Sequence, residues 1–239
     1  MLDLTRFKNP ALQFSGGKDS LACLYLLREQ LNDITVYYVD SNDGCPETLA
    51  VIEEVKSWVP NFVTIQTDVK KWRATYGTPS DIVLASSHYL AAPYGIDTLR
   101  LSNRFDCCMY NKMLPLHQRM VADSVDCVIR GVKLSDTGTV PFEGKDEFYE
   151  VVLPIRDWTD NDVFSFLETV GAPYNAIYDF YKGISAPECM GCTAWWDDGK
   201  AAYFRALHPE RLPEYHATLQ QVKEALQAHL EHLDFELRS

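Results

Sequence analysis

Three short apolar segments separated by helical patterns, all within the first 67 residues, constrain this chain more than any other feature. Ala11 to Phe14 (ALQF) is an apolar run stopped by Gly16 and Gly17. The stretch DSLACLYLLREQL behind it places apolar residues at 21, 24, 25, 27 and 31, one face of a helix, with Asp19 or Ser20 as its expected N-cap. Ile34 to Asp40 (ITVYYVD) is β-branched and aromatic and reads as a second strand. Pro46, favourable in a first turn, opens a helix through Trp58, and Phe62 to Thr67 (FVTIQT) makes a third strand. A βαβαβ alternation requires a parallel sheet with right-handed crossovers, and ligands gather at the carboxyl ends of its strands. The expected fold class is therefore α/β, a doubly wound, mainly parallel sheet.

From Tyr76 to Arg104 the pattern loosens into a segment with Gly77, Pro79, Pro93 and Gly95, and a long irregular stretch inside a compact domain is usually functional. Asn111 to Asp123 reads as helix, Asp126 to Val132 as a buried strand, Ser135 to Phe148 as a polar excursion and YEVVLPI as a short strand. Thr159 to Gly171 is a helix marked at both ends, by an N-cap Thr and a terminal Gly. Beyond Trp196 the pattern is helical, with Pro209 and Pro213 expected to break it. The expected division is residues 1–196 as one α/β unit and 197–239 as a helical C-terminal extension.

The sequence SGGKDS, Ser15 to Ser20, lies between the first strand and the first helix. It is not a Walker loop, because Gly16 and Gly17 are adjacent and Lys18 is followed by Asp19 and Ser20. Two glycines let the backbone approach an anion, helix-terminal amides point at it, and Lys18 adds a point charge. The cysteines form a second constellation. Cys107 and Cys108 are adjacent, and Cys189 and Cys192 make a C-x-x-C 80 residues on. Four soft thiolates suit a structural zinc site or a [4Fe-4S] cluster, and spacing alone does not choose. Adjacent ligands are awkward around one small tetrahedron, which favours the cluster. Cys23, Cys45 and Cys127 sit in apolar or turn contexts and read as ordinary buried cysteines.

The formal net charge of −12 repels a phosphate backbone, so a dedicated nucleic-acid binder is disfavoured. No window reaches the roughly 18 consecutive apolar residues of a membrane span, and the start MLDLTRFKNP lacks the apolar region and cleavage site of a signal peptide. The expected compartment is the cytoplasm, with no membrane partner. An odd count of seven cysteines also argues against a disulfide framework.

SGGKDS resembles the PP-loop of the ATP pyrophosphatase, or adenine nucleotide α-hydrolase, superfamily. Taken with VDSNDGCPET, CCMYNKMLPL, GVKLSD, LPIRDWTDNDVFSFLETVGAPYNAIYD and KGISAPECMGCT, it is similar to the phosphoadenosine phosphosulfate (PAPS) and adenosine phosphosulfate (APS) reductase family, over Ala11 to about Thr193. The resemblance implies that Cys107, Cys108, Cys189 and Cys192 hold a [4Fe-4S] cluster. It also implies that Ser15, Gly16, Gly17, Lys18, Asp19, Ser20 and Asp40 line a nucleotide site, with Lys112 and Lys133 as further cofactor-binding residues. Lys112 matches the family's basic residue near the cluster. Lys133 and Asn111 stand where the family has Arg, and Asn42 where it has Gly, departures that bear on the substrate. Trp195 and Trp196, at the foot of the C-x-x-C, read as a cover for the metal site.

One departure bears on the reaction. The family's nucleophile is a Cys in a Glu-Cys-Gly motif near the C-terminus, and no cysteine follows Cys192 here. With the loop intact, the leading expectation is cleavage of ATP between its α and β phosphates, with Lys18 and Asp19 as catalytic residues, to adenylate a substrate for sulfur transfer. Magnesium is a candidate companion of the nucleotide. The alternatives are a PAPS/APS reductase that takes its thiol from a partner, and a non-catalytic nucleotide-sensing or partner-binding module. The implied partners are an adenine nucleotide and a thiol or sulfur-donor protein, with oligomerisation left open.

Overall fold

The structure is a computed structural model, and it describes residues 3–80, 82–84, 87–88, 99–136, 140–181 and 186–239, the side chain of Asp197 excepted. The strands are β1 (Pro10–Gln13), β2 (Thr35–Asp40), β3 (Phe62–Gln66), β4 (Thr78–Ser80), β5 (Leu101–Asn103), β6 (Cys127–Ile129), β7 (Gly144–Lys145) and β8 (Glu150–Val152). The helices are α1 (Lys18–Leu26), α2 (Pro46–Lys56), α3 (Val69–Tyr76), α4 (Arg104–Cys108), α5 (Leu114–Ala122), α6 (Asp160–Thr169), α7 (Lys200–Leu207) and α8 (Leu212–Arg238).

Six strands form one sheet in the order β3-β2-β1-β6-β8-β7. All its pairings are parallel except that of β7 with β8, so the doubly wound, mainly parallel α/β fold read from the sequence is the fold observed. Side chains on a strand alternate between faces, and the core divides accordingly. Leu12, Phe14, Val36, Tyr38, Cys127 and Ile129 pack with α1, α2 and α6. Ala11, Tyr37 and Val128 pack instead with Met120 and Leu116 of α5. The chain leaves β1 toward β2 on one side and returns to β6 on the other, so the order reverses between β1 and β6. A crevice at that reversal, beyond the carboxyl ends, is where such sheets take ligands.

The loose segment after Tyr76 contributes β4 and β5, paired in parallel as a small separate sheet. Its residues 81, 85–86 and 89–98 lie outside the described residues, as do 137–139 of the polar excursion. The expected break at Pro213 does not occur. Pro213 sits in the first turn of α8, where a missing N–H costs nothing, while Pro209 opens a short 3₁₀ turn between α7 and α8. Tyr203, Phe204 and Tyr215 of this C-terminal segment are buried in a cluster with Cys45, Ile177, Tyr178, Tyr181 and Met190. Among the described residues no helix is long and apolar enough to cross a membrane.

Candidate functional site

After β1 the chain turns through Ser15 to Gly17 into α1. Gly16 has φ +78°, and a Cβ there would come within 2.8 Å of both Ile52 and Thr48 side-chain carbons, so the turn requires glycine. Gly17, rather than Asp19 or Ser20, is the N-cap of α1, and as glycine it offers no side-chain cap. The two expected caps have other partners. Ser20 Oγ donates to the Gly17 carbonyl at 3.0 Å and accepts from Ser15 N at 3.2 Å, which closes the loop on itself. Asp19 turns toward two lysines. A helix start without a local cap presents the positive end of its dipole to an anion, here beside the Tyr178 hydroxyl, which accepts from Lys18 N.

Lys18 Nζ lies 2.9 Å from Asp19 Oδ2 and 3.0 Å from Asp160 Oδ1. Lys133, wholly buried, reaches Asp19 Oδ1 at 2.6 Å, Asp136 Oδ1 at 2.8 Å and Asp160 Oδ1 at 3.3 Å. Two ammoniums and three carboxylates thus share one cluster. Burial alone would raise the Asp160 carboxyl, but Lys18 and Lys133 outweigh it and hold the group below its ordinary range. Lys133 follows β6 and Lys18 follows β1, so the cluster spans the reversal in strand order. The approach is tight: a Cβ on Gly131 would lie 2.5 Å from the Asp19 carbonyl carbon.

Asp160 and Tyr178 were not legible as site residues. Asp160 reads locally as the first residue of a capped helix, and the box formed by Thr159 and Asp162 is indeed present. Tyr178 reads as a core aromatic, yet its hydroxyl accepts from Lys18 N at 3.0 Å and its ring lies 5.6 Å from Lys18 Nζ. A cavity of about 450 Å³ opens against Gly16, Lys18 and Tyr178, with Phe164, Leu167 and Pro173 among its apolar walls. Asp40 is not part of that cavity. It ends β2, accepts from Asn42 N at 2.9 Å and Gln66 Nε2 at 3.2 Å, and lines a separate hollow of about 410 Å³ with His208 and Arg211. His208 is mostly buried and 2.9 Å from Glu47.

The cysteine pairs come together around a different set of charges. Cys107 and Cys108 end α4, and the helix then widens into a π turn over Met109–Met113 before α5 begins. Such turns concentrate at functional sites, and this one supplies the backbone distortion that two adjacent ligands need. Asn111 is buried in it, its Nδ2 donating to the Cys107 carbonyl at 2.8 Å.

The C-x-x-C turn is tied to the loop after β2. Gly44 bridges to Cys189, Met190 N donates to the Asp43 carbonyl at 2.8 Å, and Gly191 N donates to Asp43 Oδ2 at 3.0 Å. Arg73 of α3 donates to the same carboxylate oxygen at 2.7 Å and hydrogen-bonds Cys107. Side-chain exposure is 13% for Arg73 and 4% for Asp43, so this is a buried ion pair that joins both cysteine pairs. Neither Arg73 nor Asp43 could be picked out from the sequence, because nothing local marks them.

Lys112 is 2.6 Å from Glu188, next to Cys189, and its charge holds the Glu188 carboxyl below its usual range. Trp195 packs edge-on to Phe105 and under the Arg104 guanidinium, 3.9 Å away, beside the vicinal cysteines. Burial, Glu188 and the other three thiols push the Cys108 thiol up to about 12. The residues fit a soft-metal group that carries anionic sulfur: the donors are four soft sulfurs, and Arg73 Nε is a buried N–H with no acceptor among the described residues. Among the described residues no three His, Cys, Asp or Glu side chains converge tightly enough for a single ion.

A glycine loop opening a helix at the strand-order reversal of a parallel sheet defines an α/β nucleotide-binding protein of the PP-loop class. The family model of the phosphoadenosine phosphosulfate reductase domain matches residues 9–194, and the chain belongs to that family. It is 26% identical over 186 residues to the adenosine 5'-phosphosulfate reductase of Staphylococcus haemolyticus, covering 75% of this chain and 68% of that protein. It is also 26% identical over 199 residues to the phosphoadenosine 5'-phosphosulfate reductase of Xanthomonas axonopodis pv. citri, covering 80% and 74%. A solved structure, the phosphate complex of Candida auris phosphoadenylyl-sulfate (PAPS) reductase, shares the fold with a TM-score of 0.52 and 18% identity. It covers 75% of this chain and 81% of that one.

Proposed function

We propose that this protein is a sulfonucleotide reductase that takes its reducing thiol from a separate thiol protein, the alternative read from the sequence, rather than an ATP-cleaving adenylating enzyme. One observation carries the reading. The C-x-x-C turn is hydrogen-bonded to the loop after β2, the strand beside β1, whose carboxyl end carries the phosphate loop. Anion-binding loop and thiol centre thus share one edge of the sheet. The relatives' names, APS and PAPS reductase, support it.

In this reading the first-turn amides of α1 and Lys18 hold the substrate phosphate, Gly16 lets it approach, and Lys133 fixes Asp19. A thiolate attacks the sulfate sulfur, the sulfur–oxygen bond to phosphate breaks, and its electron pair leaves with the nucleotide. A second thiol then displaces sulfite and closes a disulfide, so two thiols are oxidised while sulfur is reduced by one electron pair. Cys23, Cys45 and Cys127 are buried, which is why the attacking thiol is assigned to a partner. Cys107, Cys108, Cys189 and Cys192 would hold a [4Fe-4S] cluster, as the family resemblance implies, and Arg73 and Lys112 would supply the positive charge around it.

The α1 start without a local cap and the intact Lys18 favour ATP cleavage as a second reading. Against it stand three carboxylates for two lysines around the loop, a poor setting for a triphosphate without magnesium. Calorimetric titration separates the two: the reductase reading expects APS or PAPS to bind more tightly than ATP and Lys18→Ala to weaken that binding. ATP bound tightly, with no affinity for either sulfonucleotide, would overturn it.

A further inference from the structure

Lys200 opens α7, beyond residue 194 where the family match ends. Its side chain turns inward and the residue is only 4% exposed. Nζ donates to the carbonyl oxygens of Cys189 at 2.7 Å, Cys192 at 2.9 Å and, more weakly, Met190 at 3.4 Å. An ammonium has three N–H donors and no acceptor, so three carbonyls of one turn satisfy it in full, whereas a neutral amine would leave one unpaired. Those acceptors are neutral, and burial pulls the ammonium below its ordinary range, an effect that the neighbouring Cys192, Cys45 and Cys189 oppose. Burying such a charge is costly unless something nearby answers it, and the sulfurs of Cys189 and Cys192 sit on the same turn.

Lys200 sits on a helix that is also anchored away from the turn. Later on α7, Tyr203 OH donates to Glu47 Oε2 at 2.7 Å, and just past its end His208 Nε2 is 2.9 Å from Glu47 Oε1. Glu47 lies in the first turn of α2. Helix α7 is thus held against α2 through Glu47 and against the cysteine turn through Lys200 and a weaker Tyr203 OH to Met190 Sδ contact at 3.7 Å.

We propose that Lys200 is a positioning residue of the four-cysteine centre. It fixes the Cys189 to Cys192 turn so that both sulfurs face Cys107 and Cys108, and it places one positive charge behind them. The segment after residue 196 is then a working part of the centre rather than an appendage. The proposal rests on reading the four cysteines as a soft-metal centre.

The test uses the full chain purified without oxygen, as wild type, Lys200→Met, Lys200→Gln and, as a control at the end of the same helix, His208→Ala, which loses the contact to Glu47. Two readouts apply to all four: transfer of bound iron or zinc to a chelator, and amide hydrogen exchange across residues 189–193 relative to α6. Orienting groups of this kind change metal affinity by about tenfold to a hundredfold. Lys200→Met should therefore release metal at least about tenfold faster and lose protection only over 189–193. Lys200→Gln, which keeps amide donors, should fall between, and His208→Ala should match wild type in both despite a lower melting temperature. If the metal is iron, its midpoint potential should move to more negative values in Lys200→Met, a shift that a purely structural role would not give.

Folded Lys200→Met with wild-type release and exchange overturns the proposal, and so does failure of both Lys200 variants to fold, which would make Lys200 a core residue only. Wild type without metal would refute the metal-centre reading instead, and the exchange data alone would then decide whether Lys200 holds the turn.

Discussion

The Arg73–Asp43 pair offers the sharpest energetic test of how the cysteine centre is assembled. Asp43 accepts from Arg73 Nη1 at 2.7 Å and from Gly191 N at 3.0 Å, with 4% of its side chain exposed. Removing one partner of a buried pair leaves the other charge uncompensated, at a cost of about 3–5 kcal/mol. Losing the acceptor for Gly191 N adds about 1 kcal/mol. Asp43→Ala should therefore cost roughly 4–6 kcal/mol, a large share of the roughly 5–15 kcal/mol that holds a domain folded. Asp43→Asn keeps an acceptor for Gly191 and should cost about 1 kcal/mol less. Arg73→Met with Asp43→Leu removes both charges, and replacing a buried pair by apolar groups is often neutral or stabilising. The double variant should thus be more stable than Asp43→Ala. Urea unfolding of the metal-free chain under reducing conditions measures all of these. A loss below about 1 kcal/mol for Asp43→Ala, or a double variant as unstable as the two single losses summed, would refute the reasoning.

Gly16→Ala sets a Cβ 2.8 Å from Ile52 and Thr48 at a positive φ and should destabilise by about 1–3 kcal/mol, read from the melting temperature, with loss of nucleotide binding by calorimetry. Lys18→Ala should weaken sulfonucleotide binding by about tenfold to a hundredfold, the worth of one charge-assisted hydrogen bond, while Tyr178→Phe, which keeps the ring and loses the acceptor for Lys18 N, should have the smaller effect. Asp160 is depressed in the folded state, so its contribution is present in full above the unfolded carboxyl pKa of about 4 and is lost as pH falls through the lower folded value. Asp160→Asn should accordingly flatten the acid limb of the stability–pH curve, and an unchanged limb would contradict the assignment.

The sheet was legible because its strands carry apolar residues on alternating sides and its first two helices begin at glycine and proline signals. The phosphate loop was legible for the same reason: its chemistry lies within six consecutive residues. What the sequence hid is contact between distant segments. Asp160 meets Lys18 across more than a hundred residues, and Arg73 meets Asp43 only because α3 folds over the loop after β2. The N-cap of α1 was misplaced because Asp19 and Ser20 have the usual chemistry of caps, yet here one answers two lysines and the other closes its own loop. Lys133 is wholly buried among three carboxylates, and nothing in its own stretch of sequence marks those partners.

The measurement closest to the central claim is sulfite release by anaerobically purified protein supplied with APS or PAPS and a dithiol protein such as thioredoxin, with pyrophosphate release from ATP assayed in parallel. The account predicts sulfite in proportion to enzyme, lost in Lys18→Ala, and no pyrophosphate above background. Pyrophosphate from ATP with no sulfite from either sulfonucleotide would contradict it.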